Sequence, residues 1–241
     1  MPIWRAWACL GLALAPAVGS LPAQSASAPG VEIRTVSGSD DEKATKAQLE
    51  RLLTTLPLQQ WLFTRTVQIQ DRTIPHSHPV LTIGSNAGND TSLAATFVHE
   101  QLHWFLETPM TDSAIADLRK IYAKVPWGPP DGARNEYSTY LHLLVCLLEF
   151  DGTAALYGEE AARRTLGGWR HYQWIYREVL ERPAPIRAVL EARGLAKPDA
   201  RLRRKDPSDS AQTAPEGPAL VRVSVRGLHL PNAFSEGAGR A

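Results

Sequence analysis

Residues 141–150, Leu-His-Leu-Leu-Val-Cys-Leu-Leu-Glu-Phe, fall inside a helical stretch that runs from about residue 135 to 157. A helix that is apolar on almost every side belongs in the middle of a core, so the other elements must wrap around it. The same segment carries Glu149, and an unpaired carboxylate in that setting costs several kcal/mol or more. Glu149 therefore needs a partner. His142 precedes it by seven residues and shares its helical face. Two arrangements satisfy the carboxylate: coordination of a metal ion, or a buried His–Glu hydrogen bond with no metal.

The metal arrangement has a second half in His99-Glu100-Gln101-Leu102-His103. Leu93, Phe97, Leu102 and Leu106 recur at helical spacing, with Asn89 or Asp90 available as the cap, so the motif lies on a helix. Residues four apart share a face, which lets His99 and His103 direct ring nitrogens at one zinc ion. Glu100 is turned by about 100° from His99, which places its carboxylate beside the metal. Zinc brings the pKa of water toward neutrality, and Glu100 can take the released proton and hand it to a leaving amine. In a chain with seven histidines, a chance HExxH has odds on the order of one in a hundred.

His99-Glu100-Gln101-Leu102-His103 resembles the active-site helix of the zincin metallopeptidases, in a gluzincin-like form. The resemblance covers that helix and a candidate glutamate downstream. It implies zinc, peptide hydrolysis with Glu100 as general base, and a mixed sheet ahead of the helix whose edge strand aligns the substrate. A metzincin would place a glycine and a third histidine where this chain has Leu106 and Pro109, so that branch is excluded. A gluzincin takes its third ligand from a later helix. Glu107 is two turns along the same helix, roughly 12 Å from His99, too far to close one tetrahedral site. Glu136, in Asn135-Glu136-Tyr137-Ser138, faintly matches the gluzincin pattern but is also explained by the dipole of a helix's first turn. Glu149 is the expected ligand beside His99 and His103. His142 is then expected to orient a ligand or steady the oxyanion, with Tyr140 and Tyr172 as alternatives.

The rest of the chain completes an α+β plan, a small N-terminal sheet followed by a mainly helical zincin-like domain. Residues 31–36, 60–70 and 79–84 are rich in Val, Ile and Thr and predict strands. A helix capped by Asp40 or Asp41 presents Ala44, Leu49, Leu52 and Leu53 before Pro57. Pro109 is expected to end the metal helix, and residues 113–123 to form another. Residues 127–132 are a loop, and residues 163–168 are expected to break the pattern before a helical pair at 172–180 and 185–192 that ends at Gly194. His76 and His78 could make a second metal clamp on an extended segment, although a polar turn explains them more simply. Trp104, Trp127, Trp169 and Trp174 read as core or pocket-wall residues.

Residues 1–28 have the form of a signal peptide, with Arg5, an apolar stretch from 6 to 18 that contains Pro16, and small residues after it. The metal-binding domain is expected at 29–196 and a largely disordered tail at 197–241, whose Arg201, Arg203, Arg204 and Lys205 read as a solvated charge run. Cys9 would leave with the signal, so Cys146 stands alone and no internal disulfide is expected. No later stretch is expected to span a membrane. Opposite charges nearly cancel, 26 Lys and Arg against 25 Asp and Glu, which gives no electrostatic reason for a nucleic-acid partner. The expectation is a periplasmic or secreted zinc peptidase acting on a peptide or protein. Its rivals are a non-catalytic zinc-binding module and a metal-free helical envelope protein.

Overall fold

The structure, a computed structural model, describes residues 30–198 except Ala87; the signal-like segment and the tail lie outside the described residues. The order of elements is β1 (Glu32–Thr35), α1 (Asp40–Thr55), a 3-10 turn (Leu58–Trp61), β2 (Thr66–Gln70), β3 (Leu81–Gly84), α2 (Asp90–Phe105), α3 (Pro109–Ile121), α4 (Glu136–Tyr157), α5 (Glu159–Gly167), α6 (Gln173–Glu181) and α7 (Pro183–Ala192). This is the α+β plan expected from the sequence.

The three strands are parallel in the order β1-β2-β3, with Ile33 opposite Val67, Val67 opposite Leu81 and Ile69 opposite Ile83. One face of the sheet is fully buried at Val67, Ile69, Leu81 and Ile83, while the other is exposed at Glu32 and Arg34 and half-buried at Gln68. The sheet is thus all-parallel, where the family resemblance implied a mixed one. Between β2 and β3 the chain doubles back over β3. His76 and Thr82 exchange backbone hydrogen bonds of 3.0 and 2.8 Å as an antiparallel bridge.

α4 is the central helix, packed chiefly on α2, α5 and α6. Leu143, Leu144, Val145, Cys146 and Leu147 are fully buried. By length and composition α4 is apolar enough to cross a membrane, contrary to the expectation that no later stretch would be. Of its most apolar window 72% is buried inside the protein, as in the core helix of a globular domain.

Several boundaries differ from those expected. Residues 60–70 are only half strand. Leu58–Trp61 is a 3-10 turn, and the backbone after it is held by Gln101, whose Oε1 accepts from the amides of Phe63 and Thr64 at 2.8 Å each while its Nε2 donates to the Thr64 carbonyl at 2.9 Å. Ser39, rather than Asp40 or Asp41, caps α1 by accepting from the Glu42 amide. Asn89 caps α2, as one of the two expected candidates. Pro109 starts α3 instead of ending α2, in keeping with proline's fit to the first helical position. Residues 163–167 are not a break but the second half of α5, which ends at the Gly168 cap. It shows only Ala162 and Leu166 to the core, and Glu159–Arg163 and Glu160–Arg164 pairs lace its outer face.

Candidate metal centre

α2 carries His99 and His103 on the face turned to α4, and the two helices approach closely. A Cβ on Gly152 of α4 would lie 3.0 Å from Val98 Cγ1 and 3.3 Å from the Trp61 ring, so glycine is what admits α2 at this distance. Three α4 side chains, His142, Cys146 and Glu149, line the junction. His99, Glu100, His142 and Glu149 are 8, 6, 6 and 1% exposed, so each titratable group here must find its partner inside the protein.

The His99 ring lies between His142 and Glu149. Its Nδ1 is 2.8 Å from Glu149 Oε2, and the same oxygen accepts from the Tyr176 hydroxyl at 2.9 Å. His142 Nδ1 donates to the Ser138 carbonyl at 2.6 Å. Both hydrogen bonds engage Nδ1 and leave Nε2 of His99 and of His142 for another partner. Ligand atoms of His99, His103 and His142 lie within 4.8 Å of one another, as do those of a second group, His99, Cys146 and Glu149. Ring centroids are 5.2 Å apart for His99–His103, 5.5 Å for His99–His142 and 5.0 Å for His103–His142.

Either group could hold a metal ion, but they differ in what surrounds them. The three histidines and Glu100 border one cavity of about 820 Å³ that also touches Ser138, Leu141 and Tyr172. Glu149 Oε2 is engaged by His99 and Tyr176, Glu149 borders only the neighbouring cavity, and Cys146, fully buried, borders neither. Three imidazoles at a cavity could hold a metal ion and leave a coordination position open to a further ligand. The His99–Glu149 bond matches the carboxylate that holds a ligand imidazole in one tautomer.

Electrostatics in the metal-free site agree with this division. Burial and the neighbouring His99 and His142 hold His103 well below the usual histidine range. Burial, reinforced by His99, pushes His142 down to about 3. These two rings are neutral and available as ligands. Burial also opposes a charge on His99, but the Glu149 carboxylate and the Cys146 thiol outweigh it and raise His99 well above its ordinary value. Glu100 is pushed up to about 7 by burial, near the value suited to a general base at neutral pH.

The remaining sequence candidates are placed as follows. Glu136 is exposed in the first turn of α4, and Glu107 is ion-paired with His78 at 2.6 Å. His78 stacks on Trp104 at 4.2 Å, and His76 Nδ1 bonds the Ile74 carbonyl, so the two belong to no potential metal group among the described residues. Tyr140 is committed to the Tyr122 carbonyl. Tyr172 does border the site, its ring 4.4 Å from that of His142, on a left-handed backbone (φ 56°, ψ 33°) that an L-residue seldom adopts without tertiary support. Sequence reasoning missed Tyr176, Arg134 and His171, all of which line the second cavity. They come from two loops and a helix with no motif to mark them.

The chain matches no protein-family model, no curated protein and no solved structure, so the site is interpreted from its own geometry.

Proposed function

We propose that this protein is a zinc-dependent peptidase in which His99, His103 and His142 hold the metal and Glu100 is the general base. Glu149, expected from the sequence to be a ligand, is assigned instead to orient His99, and His142 takes the ligand place. The observation that carries this is the pair of Nδ1 hydrogen bonds, Glu149 on His99 and Ser138 on His142, which leave each Nε2 without these partners in rings that border the same cavity as His103 and Glu100.

A zinc ion held by His99, His103 and His142 would supply Lewis acidity there and lower the pKa of a water. Glu100 accepts the water's proton and delivers it to the departing amine, and its burial keeps it from ionising too readily for that exchange. Glu149 fixes the His99 tautomer and favours any positive charge that gathers on the ring. Tyr172, bordering the same cavity, is the group available to donate to the carbonyl oxygen as it becomes negative.

The test is metal analysis of the purified protein by mass spectrometry, paired with hydrolysis of a quenched peptide library. One zinc per chain and cleavage are expected. Glu100→Gln should keep the zinc and lose at least a hundredfold in kcat, the scale of a missing acid–base group. Protein that carries no stoichiometric metal, or full activity in Glu100→Gln, sinks the proposal. Retained zinc without cleavage of any peptide by the wild type would leave a binding module instead.

A further inference from the structure

A second cavity, about 710 Å³, lies against the first. The two share Pro75, His99, Glu100, Arg134 and Tyr172, but the second touches neither His103 nor His142. Of the side chains at the centre it meets His99, Glu100 and Glu149, and Glu100 borders the first cavity as well. Its walls are largely apolar, with Ile74, Pro75, Ile83, Pro129, Ala133 and Trp169 among them. The volume lies within the usual range for small-ligand sites, so one bulky side chain fits easily.

Two cations border this apolar space. Arg72 and Arg134 are both exposed, and neither has a hydrogen bond or ion pair among the described residues. The carboxylates that also border it, Glu100 and Glu149, lie at the metal end, with Glu149 bound to His99 and Tyr176. Arg134 is the cation common to both cavities, at the point where a substrate would pass from one to the other.

Resting on the peptidase reading, we propose that the second cavity receives the C-terminal residue of the substrate, one with a large apolar side chain, and that Arg134 binds its free carboxylate. The direction follows from proton delivery. Glu100 borders both cavities, but in the second it stands without His103 and His142, so the amine half, which Glu100 protonates, is placed there. The acyl half occupies the cavity bordered by His103 and His142. Water adds to the scissile carbonyl, the C–N bond breaks, the proton held by Glu100 goes to nitrogen, and a free amino acid leaves from the apolar cavity. A guanidinium suits this carboxylate because it can donate two parallel hydrogen bonds. The chemistry describes a carboxypeptidase preferring aromatic or large aliphatic C-termini.

The experiment uses the zinc-loaded protein and blocked tripeptides ending in Phe, as the free acid or as the amide, and the same acid ending in Gly. Wild type is expected to favour the Phe acid over its amide at least tenfold in kcat/KM, and over the Gly acid by a similar factor. Arg134→Ala should bring the acid-to-amide ratio to about one, and Arg134→Lys should restore part of the preference. Thr96→Phe adds bulk to the cavity from a half-buried helical position one turn before Glu100 and should reverse the Phe-over-Gly preference. Calorimetric binding of the uncut Phe acid and amide to Glu100→Gln reads the same ratio without turnover. Equal use of acid and amide by wild type, or a ratio unmoved in Arg134→Ala, overturns this inference and leaves the peptidase reading intact. Failure to cut any peptide overturns both.

Discussion

The exchange of roles between Glu149 and His142 can be tested by Glu149→Gln and His142→Gln, each near-isosteric with what it replaces. If Glu149 orients His99, Glu149→Gln keeps three imidazoles around the metal and loses only the negative charge behind one of them. Loss of such an outer partner typically weakens metal binding 10- to 100-fold, or about 1.4–2.8 kcal/mol. Stoichiometry measured at excess zinc should remain one. His142→Gln removes a ligand and should abolish stoichiometric binding under the same conditions. Glu149→Ala does more, since it orphans both the Tyr176 hydroxyl and His99 Nδ1 in the core, and a loss of roughly 3–5 kcal/mol of folding stability is expected. Zinc affinity would be measured by competition with a chromophoric chelator, and stability by urea titration. A Glu149→Gln protein devoid of zinc beside a His142→Gln protein that binds it normally would refute the assignment.

Other expectations concern the scaffold. Gln101→Leu orphans the buried Phe63 and Thr64 amides and the Thr64 carbonyl, at about 1–3 kcal/mol for each group, so urea denaturation should show a loss of several kcal/mol; a loss under 1 kcal/mol would contradict the clamp. Gly152→Ala forces a methyl against Val98 and Trp61 and should cost about 1–3 kcal/mol while loosening zinc, read by melting temperature and chelator competition. In metal-free protein the folded His142, held down to about 3, binds its proton less readily than the unfolded ring at 6.5. The unfolded chain therefore takes up more protons between these values, and stability must rise with pH across that window. Because Glu100, raised to about 7, pulls the opposite way, the comparison is wild type minus His142→Gln in urea titrations from pH 4 to 7. A difference that fails to grow with pH removes the electrostatic account of a neutral His142.

The helix of the metal motif, its Asn89 cap and the buried α4 were legible because each is a local pattern, a periodicity with a capping residue or an unbroken apolar run. The shared face of His142 and Glu149 was legible for the same reason. Which of the two a metal ion would meet was not, because that turns on the His99 ring, which belongs to another helix. Seven residues separate them by about 10 Å along the axis, and the His99 ring stands beside both, bonded through Nδ1 to Glu149 and 5.5 Å from the His142 ring. α5 escaped because two apolar residues one turn apart make no readable stripe, and the 3-10 turn before β2 because its backbone is organised by the distant Gln101. Tyr176 and Arg134 acquire meaning only once α6 and the loop before α4 are folded against the site.

The bridge between His76 and Thr82 has a further effect on how this molecule meets other chains. A small parallel sheet has two outer strands whose unused backbone groups invite another strand to add on. Over Thr82, those of β3 are already taken by the protein's own loop. The other outer strand, β1, is only four residues long and carries the ion-paired Glu32 and Arg34. A visiting polypeptide thus finds β3 closed at its centre. Under the proposed peptidase reading, the choice of substrate would then rest on the shape and charge of the cavities, where a single side chain can be weighed.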